Sequence, residues 1–414
     1  MHKSLLVNRY VYDVLIAGGG PAGCASALRL ANAGLRVALL DKASFPRDKI
    51  CGDALSVDVL NQLPILSQTL AQRMESSAEK THSYGVRIIS PGGHRMDIPF
   101  IHKGENRYGY ICQRTHFDNL LFSQVKQSAK IDTYENCLIQ KAENAQDRVM
   151  LYSNIGVFEG QMVIGADGAH SIIGKQLAHL QMERPHHSAG LRLYYEGVEH
   201  FHPQNFIELY FFREILPGYL WIFPLPGNKA NVGIGMLSSS IAAKKLNLKH
   251  ILQQLLDTHP LLKERFQKAR PLESIKGFGL PLGSKKRAIS GERFVLTGDA
   301  ASLIDPFTGE GIGNAIRSGR VAAEHCIACF KQNTFSASFN KQYDNEIYRR
   351  MWNELSISRS LQNLCRYPWL FNFLLKKAST NAYLQQFFTD ALADVNTKRL
   401  LTQPSFYYRL LFNK

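Results

Sequence analysis

The chain has 414 residues, with 49 Lys and Arg against 34 Asp and Glu, and therefore a formal charge of +15 at neutral pH. That length exceeds what one hydrophobic core usually supports, so we expect at least two domains. With 45% apolar and 20% charged residues, the composition excludes a disordered or collagen-like chain. No run reaches the roughly 18–20 apolar residues of a membrane-spanning helix, and the N-terminus predicts no signal peptide.

The cysteines indicate the cellular compartment, and the positive charge indicates which classes of partner the chain could bind. Seven cysteines are scattered without the spacing of a zinc site or a disulfide framework, which predicts reduced thiols in the cytoplasm and no metal site. The basic clusters, such as Lys285–Arg287, are short and carry no base-stacking motif, so we expect no nucleic-acid partner. An anionic cofactor or a membrane-borne substrate accounts for the same charge.

The first sixty residues predict a dinucleotide-binding unit. An apolar strand over 12–17 stops at Gly18-Gly19-Gly20-Pro21-Ala22-Gly23, a helical pattern follows, and a second strand over 35–40 ends at Asp41. This spacing supplies a tight turn, a close backbone approach to a diphosphate and close helix packing. The helix N-terminus attracts the diphosphate, and Asp41 lies where a carboxylate accepts from ribose hydroxyls. The unit alone does not distinguish FAD from NAD.

Two later apolar strands also end in a pair of Gly and Asp. Residues 161–165 lead into Ala166-Asp167-Gly168, and residues 294–297 lead into Gly298-Asp299. The second continues through a Gly-rich turn over 305–313 into a helical stretch from Asn314. Asp299 can accept from a sugar-alcohol chain, and the turn offers N–H groups to an electron-rich ring edge. Three such strand ends in this order favour FAD, and we expect them to converge in space.

These segments resemble the FAD-dependent oxidoreductases that include p-hydroxybenzoate hydroxylase and, more closely, the geranylgeranyl reductase family. The closer resemblance rests on Phe45-Pro46-Arg47-Asp48-Lys49-Ile50-Cys51-Gly52, similar to the family's Pro-Arg-x-Lys-x-Cys-Gly stretch, and on the loop over 305–312. It covers roughly residues 10–330. The resemblance implies an α/β fold: a Rossmann-like FAD-binding domain interleaved with a mainly antiparallel β-sheet substrate domain, plus C-terminal helices.

The resemblance also implies domain boundaries. We expect the FAD-binding domain at 1–80, 113–180 and 281–330, the substrate domain at 81–112 and 181–280, and a C-terminal helical region at 331–414.

Roles for individual residues follow from the same resemblance. Those expected to contact FAD are Gly18, Gly20, Pro21, Ala22, Gly23, Asp41, Lys42, Cys51, Gly52, Arg114, Asp167, Gly298, Asp299, Pro306, Gly309, Gly311 and Ile312. The first glycine turn would hold the diphosphate, Arg114 the phosphate region, Asp299 the ribityl chain and residues 306–312 the isoalloxazine. One departure is visible: Lys175 stands near where the family often has an arginine after Asp-Gly-x-x-Ser, which puts a ligand contact there in doubt.

The substrate side is predicted to be an aromatic, mainly antiparallel sheet. Alternating and aromatic stretches cover 84–89, 189–195, 206–212, 218–224 and 231–236, and such a sheet has one buried face. Tyr219-x-Trp221-x-Phe223-Pro224 resembles the family's Tyr-x-Trp-x-Phe-Pro motif beside the substrate cavity. We expect Tyr219 and Trp221 to shape the pocket rather than to move protons.

Cys51 has two interpretations that the sequence leaves open. A free cysteine is often a small buried apolar residue. Alternatively, the resemblance places this thiol beside the flavin, where it would position substrate or donate a proton, with Arg47, Lys49 and Asp53 influencing its pKa.

The C-terminal region is predicted to be helical after Gly319, with aromatic-rich runs at 367–377 and 406–412. Aromatic residues and leucine beside Lys and Arg suit a terminal helix packed on the protein and equally an interfacial membrane anchor. We favour packing and keep peripheral contact with the inner face of a membrane as a hypothesis.

The expected function is that of an FAD-dependent oxidoreductase with non-covalent FAD, reducing carbon–carbon double bonds of a hydrophobic isoprenoid or polyene lipid. The alternatives are an FAD-dependent monooxygenase acting on an aromatic or lipid substrate with NAD(P)H and oxygen, a halogenase, and a non-catalytic flavin carrier. The same scaffold serves several chemistries. The electron donor, NAD(P)H or ferredoxin, and the oligomeric state stay open.

Overall fold

The computed structural model describes residues 8–102, 104–381 and 384–385. In these residues the strands are β1 (Arg9–Val11), β2 (Val14–Ala17), β3 (Val37–Leu40), β4 (Ala54–Leu55), β5 (Lys80–Ser83), β6 (Gly85–Ile89), β7 (Arg95–Pro99), β8 (Ile101–His102), β9 (Glu105–Asn106), β10 (Gly109–Cys112), β11 (Ile131–Tyr134), β12 (Ile139–Ala145), β13 (Arg148–Ser153), β14 (Gly156–Gly160), β15 (Met162–Gly165), β16 (His187–Glu196), β17 (Ile207–Tyr210), β18 (Tyr219–Leu225), β19 (Lys229–Leu237), β20 (Arg270–Pro271), β21 (Lys276–Pro281), β22 (Ser290–Gly291) and β23 (Phe294–Leu296).

The helices in the same residues are α1 (Pro21–Leu30), α2 (Val57–Leu66), α3 (Gln68–Glu75), α4 (Arg114–Lys126), α5 (Ile172–Gln176), α6 (Ser238–Lys244), α7 (Leu248–Thr258), α8 (Lys263–Phe266), α9 (Ile312–Lys331), α10 (Ala337–Leu364) and α11 (Pro368–Thr380). Short 3-10 turns cover Arg184–His186, Arg213–Ile215 and Gly298–Ala301. Helix α9 begins two residues before the predicted start at Asn314.

A six-stranded sheet in the order β11-β3-β2-β15-β23-β22 forms the centre of the nucleotide-binding part. Its neighbouring strands are parallel except β22 and β23. Every residue of β2, β3, β15 and β23 is buried, as in parallel sheets covered on both faces. Gly165 pairs with Ala17 on one side and Leu296 on the other. The three glycine-bearing strand ends therefore lie side by side, which confirms the predicted convergence.

The second large sheet has the order β20-β16-β19-β18-β17-β6-β7, with β21 also paired to β16. Its pairs are antiparallel except β6 with β17, so the mainly antiparallel sheet is confirmed. Side chains alternate between the faces of a strand. Leu220 and Ile222 of β18 pack in one cluster with Leu252 and Leu256 of α7, whereas the aromatic residues of β18 face the opposite side.

Smaller sheets accompany the two large ones in the described residues. A four-stranded sheet, β1-β14-β13-β12, and a three-stranded one, β4-β10-β5, complete the main framework, with β8 and β9 as a separate pair. These strands were absent from the sequence predictions because most of them have only two to four residues or are largely exposed, so they lack a long apolar run.

The C-terminal helices follow as predicted up to Thr380. Helix α10 packs along α9 and β22, and α11 packs against β7, with Phe371, Leu375 and Ala378 buried in the apolar cluster of the antiparallel sheet. Packing of the 367–377 run, which the sequence analysis favoured, is therefore confirmed for one face of α11. The predicted aromatic run at 406–412 lies outside the described residues. Among the described helices, none is both long and apolar enough to cross a membrane.

Candidate functional site

A cavity of about 1180 Å³ lies between the carboxyl ends of the central parallel strands and the aromatic face of the antiparallel sheet. It exceeds the roughly 300–1,000 Å³ of a typical small-molecule site. Predicted site residues that line it are Gly18, Gly20, Pro21, Ala22, Asp41, Lys42, Cys51, Gly52, Arg114, Asp167, Tyr219, Trp221, Asp299, Gly309, Gly311 and Ile312. Gly23, Gly298 and Pro306, which were also predicted to contact FAD, lie outside this lining.

The first glycine turn is built by close backbone contacts. Gly18 has a φ of +101°, and a Cβ there would lie 2.4 Å from the Ala166 carbonyl oxygen. A Cβ at Gly23 would lie 1.8 Å from the carbonyl oxygen of Gly18. Gly20 is different, because its Cβ would meet only the Arg47 guanidinium, at 3.6 Å. Gly18 and Gly23 thus fold the turn, while Gly20 leaves its surface open to a ligand.

Two helices begin at this cavity without a side-chain cap. The N-cap residues are Gly20 for α1 and Gly311 for α9, and neither first turn receives a side-chain hydrogen bond at its cap. The first N–H groups of a helix have no partner within it, and they carry the positive end of the helix dipole. Both helices therefore present N–H groups suited to anionic or electron-rich ligand atoms.

Asp41 supports the first turn. Its carboxylate accepts from the backbone N–H of Gly19 at 2.7 Å and of Ala43 at 2.8 Å. A carboxylate can accept about four hydrogen bonds, so these two leave room for a sugar hydroxyl. Asp41 thus has a structural contact as well as the position in the cavity wall that its predicted role requires.

Two guanidinium groups share one buried carboxylate beside the turn. Arg114 donates to both oxygens of Asp118, at 2.7 and 2.8 Å, and Arg47 lies 2.8 Å from the same side chain. Burial by itself lowers the pKa of Arg114, but the charges of Asp118 and Cys51 and the hydrogen bonds to them together outweigh burial and raise the pKa above its usual value. Two cations against one anion leave a net positive charge, as a diphosphate site requires.

Residues 45–53 form a strap between the two sheets, and its Lys49 faces the cavity. The Lys49 Nζ lies 4.0 Å from Asp299 Oδ2 and 3.5 Å from the centre of the Phe278 ring. Burial lowers the pKa of Lys49, and the Asp299 carboxylate opposes this shift. The Cys51 thiol lies near Lys49 and Arg114, since it is among the groups that influence the pKa of both.

Asp167 and Lys175 differ in their access to the cavity. Asp167 accepts from the Ser171 hydroxyl at 2.5 Å and from the Ile172 N–H at 2.7 Å, and burial raises its pKa. It therefore fixes the start of α5 from its place in the cavity wall. Lys175 is exposed and does not line the cavity, so it makes no contact there in place of the family's arginine.

The aromatic strand β18 forms the apolar wall. Tyr219, Trp221 and Phe223 line the cavity, and the Tyr219 hydroxyl donates to the Thr308 carbonyl. A Cβ at Gly233 would lie 2.1 Å from the Trp221 ring, and one at Gly52 would lie 2.9 Å from the Phe223 ring. Small residues on neighbouring segments therefore make the space that these rings occupy.

Sequence reasoning missed a hydrogen-bonded group behind this wall. Asn231 accepts from the Trp221 indole N–H at 2.9 Å and donates to Asp53 at 2.8 Å. Tyr194 donates to the same carboxylate at 2.7 Å, and the Arg192 guanidinium lies 4.1 Å from the centre of the Tyr194 ring. Asp53 is separated in the chain from Tyr194 by 141 residues and from Asn231 by 178. No local pattern reveals such a group.

A second group without a predicted role lies around Glu310 at the cavity wall. The Ser56 hydroxyl donates to Glu310, and a Cβ at Gly313 would lie 2.9 Å from Glu310 and 2.7 Å from Asp58, so the two carboxylates are neighbours. Burial, together with the charges of Asp58 and Asp305, raises the pKa of Glu310 to about 7. The sequence analysis quoted Glu310 only as part of the resembling loop.

Taken together, the cavity fits FAD. The open face of Gly20, the two uncapped helix starts and the surplus positive charge of Arg47 and Arg114 suit a diphosphate and an electron-rich ring. The apolar wall of β18 extends the same cavity beyond these groups.

Comparison with known proteins agrees with this fit. The profile of a family described as an FAD binding domain matches residues 11–356. The digeranylgeranylglycerophospholipid reductase of Thermoplasma acidophilum is 30% identical over 344 residues, covering 82% of this chain and 84% of the relative. The menaquinone reductase of Mycobacterium tuberculosis is 30% identical over 323 residues, covering 75% and 76%.

Solved structures with the same fold include one reductase-like protein and one halogenating enzyme. A geranylgeranyl bacteriochlorophyll reductase-like protein from Thermoplasma acidophilum superposes with a TM-score of 0.79 at 25% identity, covering 90% of this chain and 93% of that one. A flavin-dependent brominase reaches a TM-score of 0.74 at 20% identity over 92% and 93%, a likeness that shows the fold alone. The chain therefore belongs to the geranylgeranyl reductase-like family of FAD-dependent oxidoreductases.

Proposed function

We propose that this enzyme reduces carbon–carbon double bonds of an isoprenoid or polyene lipid. The observation that carries the proposal is one continuous cavity, polar and cationic at the three glycine-bearing strand ends and aromatic along β18. FAD, when bound and reduced, supplies a hydride. Saturating one double bond consumes that hydride and one proton, which comes from a protein acid or water.

The polar half of the cavity would bind FAD. We assign the diphosphate to the turn of Gly18–Gly23 and the charge of Arg114, and the sugar hydroxyls to Asp41 and Asp299. Residues 309–312 would line the isoalloxazine through their backbone N–H groups. These assignments are supported by the lining of the cavity and by the free N–H groups at both helix starts.

The aromatic half would bind and orient the substrate. Tyr219 and Trp221 would shape an apolar channel and exclude water from the reacting carbon. The Tyr219 hydroxyl is already bonded to the Thr308 carbonyl, and burial raises its pKa, so it is held as a neutral wall residue. Cys51, on the part of the strap that packs beside this wall, is the candidate to contact the substrate or donate the proton.

The names of the relatives favour reduction over oxygenation. The two reductases at 30% identity cover at least three quarters of this chain. The halogenase structures share less than 25% identity and carry no argument on chemistry.

Rapid mixing of the reduced enzyme and a geranylgeranyl lipid with labelled oxygen separates the two reactions. We expect a saturated product without the label. A product that contains labelled oxygen would identify a monooxygenase instead. The same assay with NADPH and with reduced ferredoxin as electron source identifies the donor.

We further propose that α11 rests on the cytoplasmic face of an anionic membrane. Its inner face is packed, but Tyr367 and Trp369 are 57% and 70% exposed, and Arg366 and Lys376 beside them are exposed. Exposed aromatic rings next to cations suit the interface of an anionic bilayer. The unpaired state of all seven cysteines suits the reducing compartment on that side.

Co-sedimentation with anionic phospholipid vesicles tests this contact. We expect Trp369→Ser to weaken binding severalfold, whereas Met182→Ser, at a residue that is 62% exposed elsewhere, leaves it unchanged. Equal binding of wild type and Trp369→Ser would discard the membrane proposal without affecting the proposed reaction.

A further inference from the structure

Asp53 ends the strap in an unusual setting. Its side chain is fully buried, and its backbone has a φ of +67°. A left-handed conformation at a residue other than glycine costs about 1 kcal/mol or more and persists where surrounding contacts hold it. The contacts that hold Asp53 include its own carbonyl, which accepts from the Cys112 N–H at 2.9 Å.

The carboxylate of Asp53 orients Asn231, which in turn bonds to the strap and to strand β18. Asn231 Nδ2 donates to Asp53 Oδ2 and to the Cys51 carbonyl, each at 2.8 Å. Asn231 Oδ1 accepts from the Trp221 indole at 2.9 Å. Because the amide nitrogen has two acceptors and the amide oxygen has a donor, the Asn231 side chain has one favourable orientation. That orientation places the Trp221 ring and the Cys51–Gly52 backbone relative to each other.

A negative charge is costly at this position. Asp53 Oδ1 is buried and has no hydrogen-bond partner among the described residues, and burial raises the pKa of Asp53 to about 6. The groups that oppose the shift are Tyr194 and Asn231, through hydrogen bonds, and the charges of Arg192 and Arg114.

The two arginines whose charges favour an ionised Asp53 are themselves paired with other carboxylates. Arg192 also pairs with Asp48 and Glu273, and Arg114 pairs with Asp118. If Asp53 only filled space, an apolar residue would serve better, because it avoids the free-energy cost of burying a carboxylate oxygen without a hydrogen bond. A charge-assisted hydrogen bond is about twice as strong as a neutral one, which suits a group that must hold Asn231 rigidly.

We propose that Asp53 is a positioning residue, which fixes the Trp221 indole and the Cys51–Gly52 segment against the substrate through Asn231. The expected effect on catalysis rests on the proposed function, whereas the expected effect on Trp221 does not. A residue of this kind alters the turnover rate through geometry without contacting the reacting atoms.

The test uses the holoenzyme and its FAD-free form in a Trp352→Phe, Trp369→Phe background, in which fluorescence reports Trp221 alone. We expect Asp53→Asn to retain FAD, to raise acrylamide quenching of Trp221 about twofold, and to lower kcat about tenfold with little change in KM. Asn231→Ala should raise quenching to a similar degree, and the double variant should be no worse than either single one.

Two matched controls isolate the link through Asn231. Tyr194→Phe removes the other donor to Asp53 and should leave quenching unchanged. Asp344 is another carboxylate with one buried oxygen, Oδ1, that has no hydrogen-bond partner among the described residues, while its Oδ2 accepts from the Ile289 N–H. It does not line the cavity, so Asp344→Asn should change neither the quenching nor kcat.

Unchanged Trp221 quenching in Asp53→Asn overturns the proposal, whatever happens to kcat or to the quenching in Asn231→Ala. Additive effects in the double variant also overturn it. If Asp53→Asn does not fold, Asn231→Ala alone decides by the same quenching criterion. If wild type reduces no isoprenoid lipid, the proposed function fails, and the fluorescence of Trp221 still tests the role of Asp53.

Discussion

The two halves of the cavity hold their ligands by different means. In the polar half the contacts come from backbone turns, helix starts and a buried ion cluster, all on segments next to parallel strands. In the aromatic half they come from side chains of β18, whose positions depend on Gly233, Asn231 and Asp53. Backbone contacts hold the binding groups of the polar half in place, whereas side-chain hydrogen bonds hold those of the aromatic half. Substitutions should therefore separate cofactor binding from substrate reduction.

The largest effect is expected in the first glycine turn. In Gly23→Ala the new Cβ would lie 1.8 Å from the Gly18 carbonyl oxygen, an impossible contact with backbone atoms that cannot move independently. We expect complete loss of bound FAD, measured as visible flavin absorbance per mole of purified protein.

Gly34→Ala is the matched control for this change. Gly34 has a positive φ, of +73°, but a Cβ there meets nothing within 4 Å. The substitution should cost about 1 kcal/mol of stability and retain FAD. Normal FAD content in Gly23→Ala would contradict the assignment of the diphosphate to this turn.

The ion cluster beside the turn should give the next largest effect. Arg114→Met leaves the buried Asp118 with Arg47 alone, and breaking a buried pair costs about 3 kcal/mol. Urea denaturation should show this loss together with weaker FAD binding. Arg349→Met breaks an exposed pair with Glu346, in which water and salt screen the attraction, and should leave the urea midpoint nearly unchanged. Equal losses in the two variants would show that the buried cluster contributes no more than a surface pair.

On the aromatic side, Trp221→Phe should leave FAD content unchanged. The smaller ring loses the hydrogen bond to Asn231 and leaves space in the wall, so kcat/KM for the lipid should fall about tenfold to a hundredfold. Trp352→Phe serves as the control, because the Trp352 side chain does not line the cavity. Loss of FAD from Trp221→Phe would show that the two halves are not separable.

The smallest effect concerns pH. The pKa of Glu310 is raised to about 7 from the usual 4.5, so between these values the folded, FAD-free chain keeps a proton that the unfolded chain has released. The unfolding free energy should therefore fall as pH rises through that window. In Glu310→Gln this fall should become shallower, because only the contribution of Asp53, whose pKa is raised to about 6, and of similar groups remains. Denaturation at several pH values measures the change.

Glu346→Gln is the control for the pH experiment. The pKa of Glu346 is lowered to about 2 through its hydrogen bond with Arg349, so its contribution is lost only at lower pH, as the solution is acidified below about 4.5. It should leave the window between 4.5 and 7 unchanged. A Glu310→Gln chain with the same pH slope as wild type would show that the burial of Glu310 has no net effect on its proton.

The same two halves explain how much the sequence could predict. Glycine spacing and apolar strands are local signals, so the convergence of the turns at Gly18, Asp167 and Gly298 was predictable, as was the aromatic strand β18. The bonds from Asn231 to Asp53 and Trp221 depend on which strands pair, and the chain order of single residues does not encode that. Glu310 lay in a recognisable loop, but its altered pKa depends on Asp58 and on burial, which only the folded structure supplies.

A single-turnover experiment without oxygen tests the central claim most directly. The purified protein is loaded with FAD, reduced, separated from the reductant and mixed with a geranylgeranyl lipid, or with its saturated counterpart as a control. The account predicts that the flavin is reoxidised only by the unsaturated lipid, and that the product gains two hydrogens for each flavin. A protein that takes up no FAD, or a reduced flavin that the unsaturated lipid leaves unchanged, would contradict it.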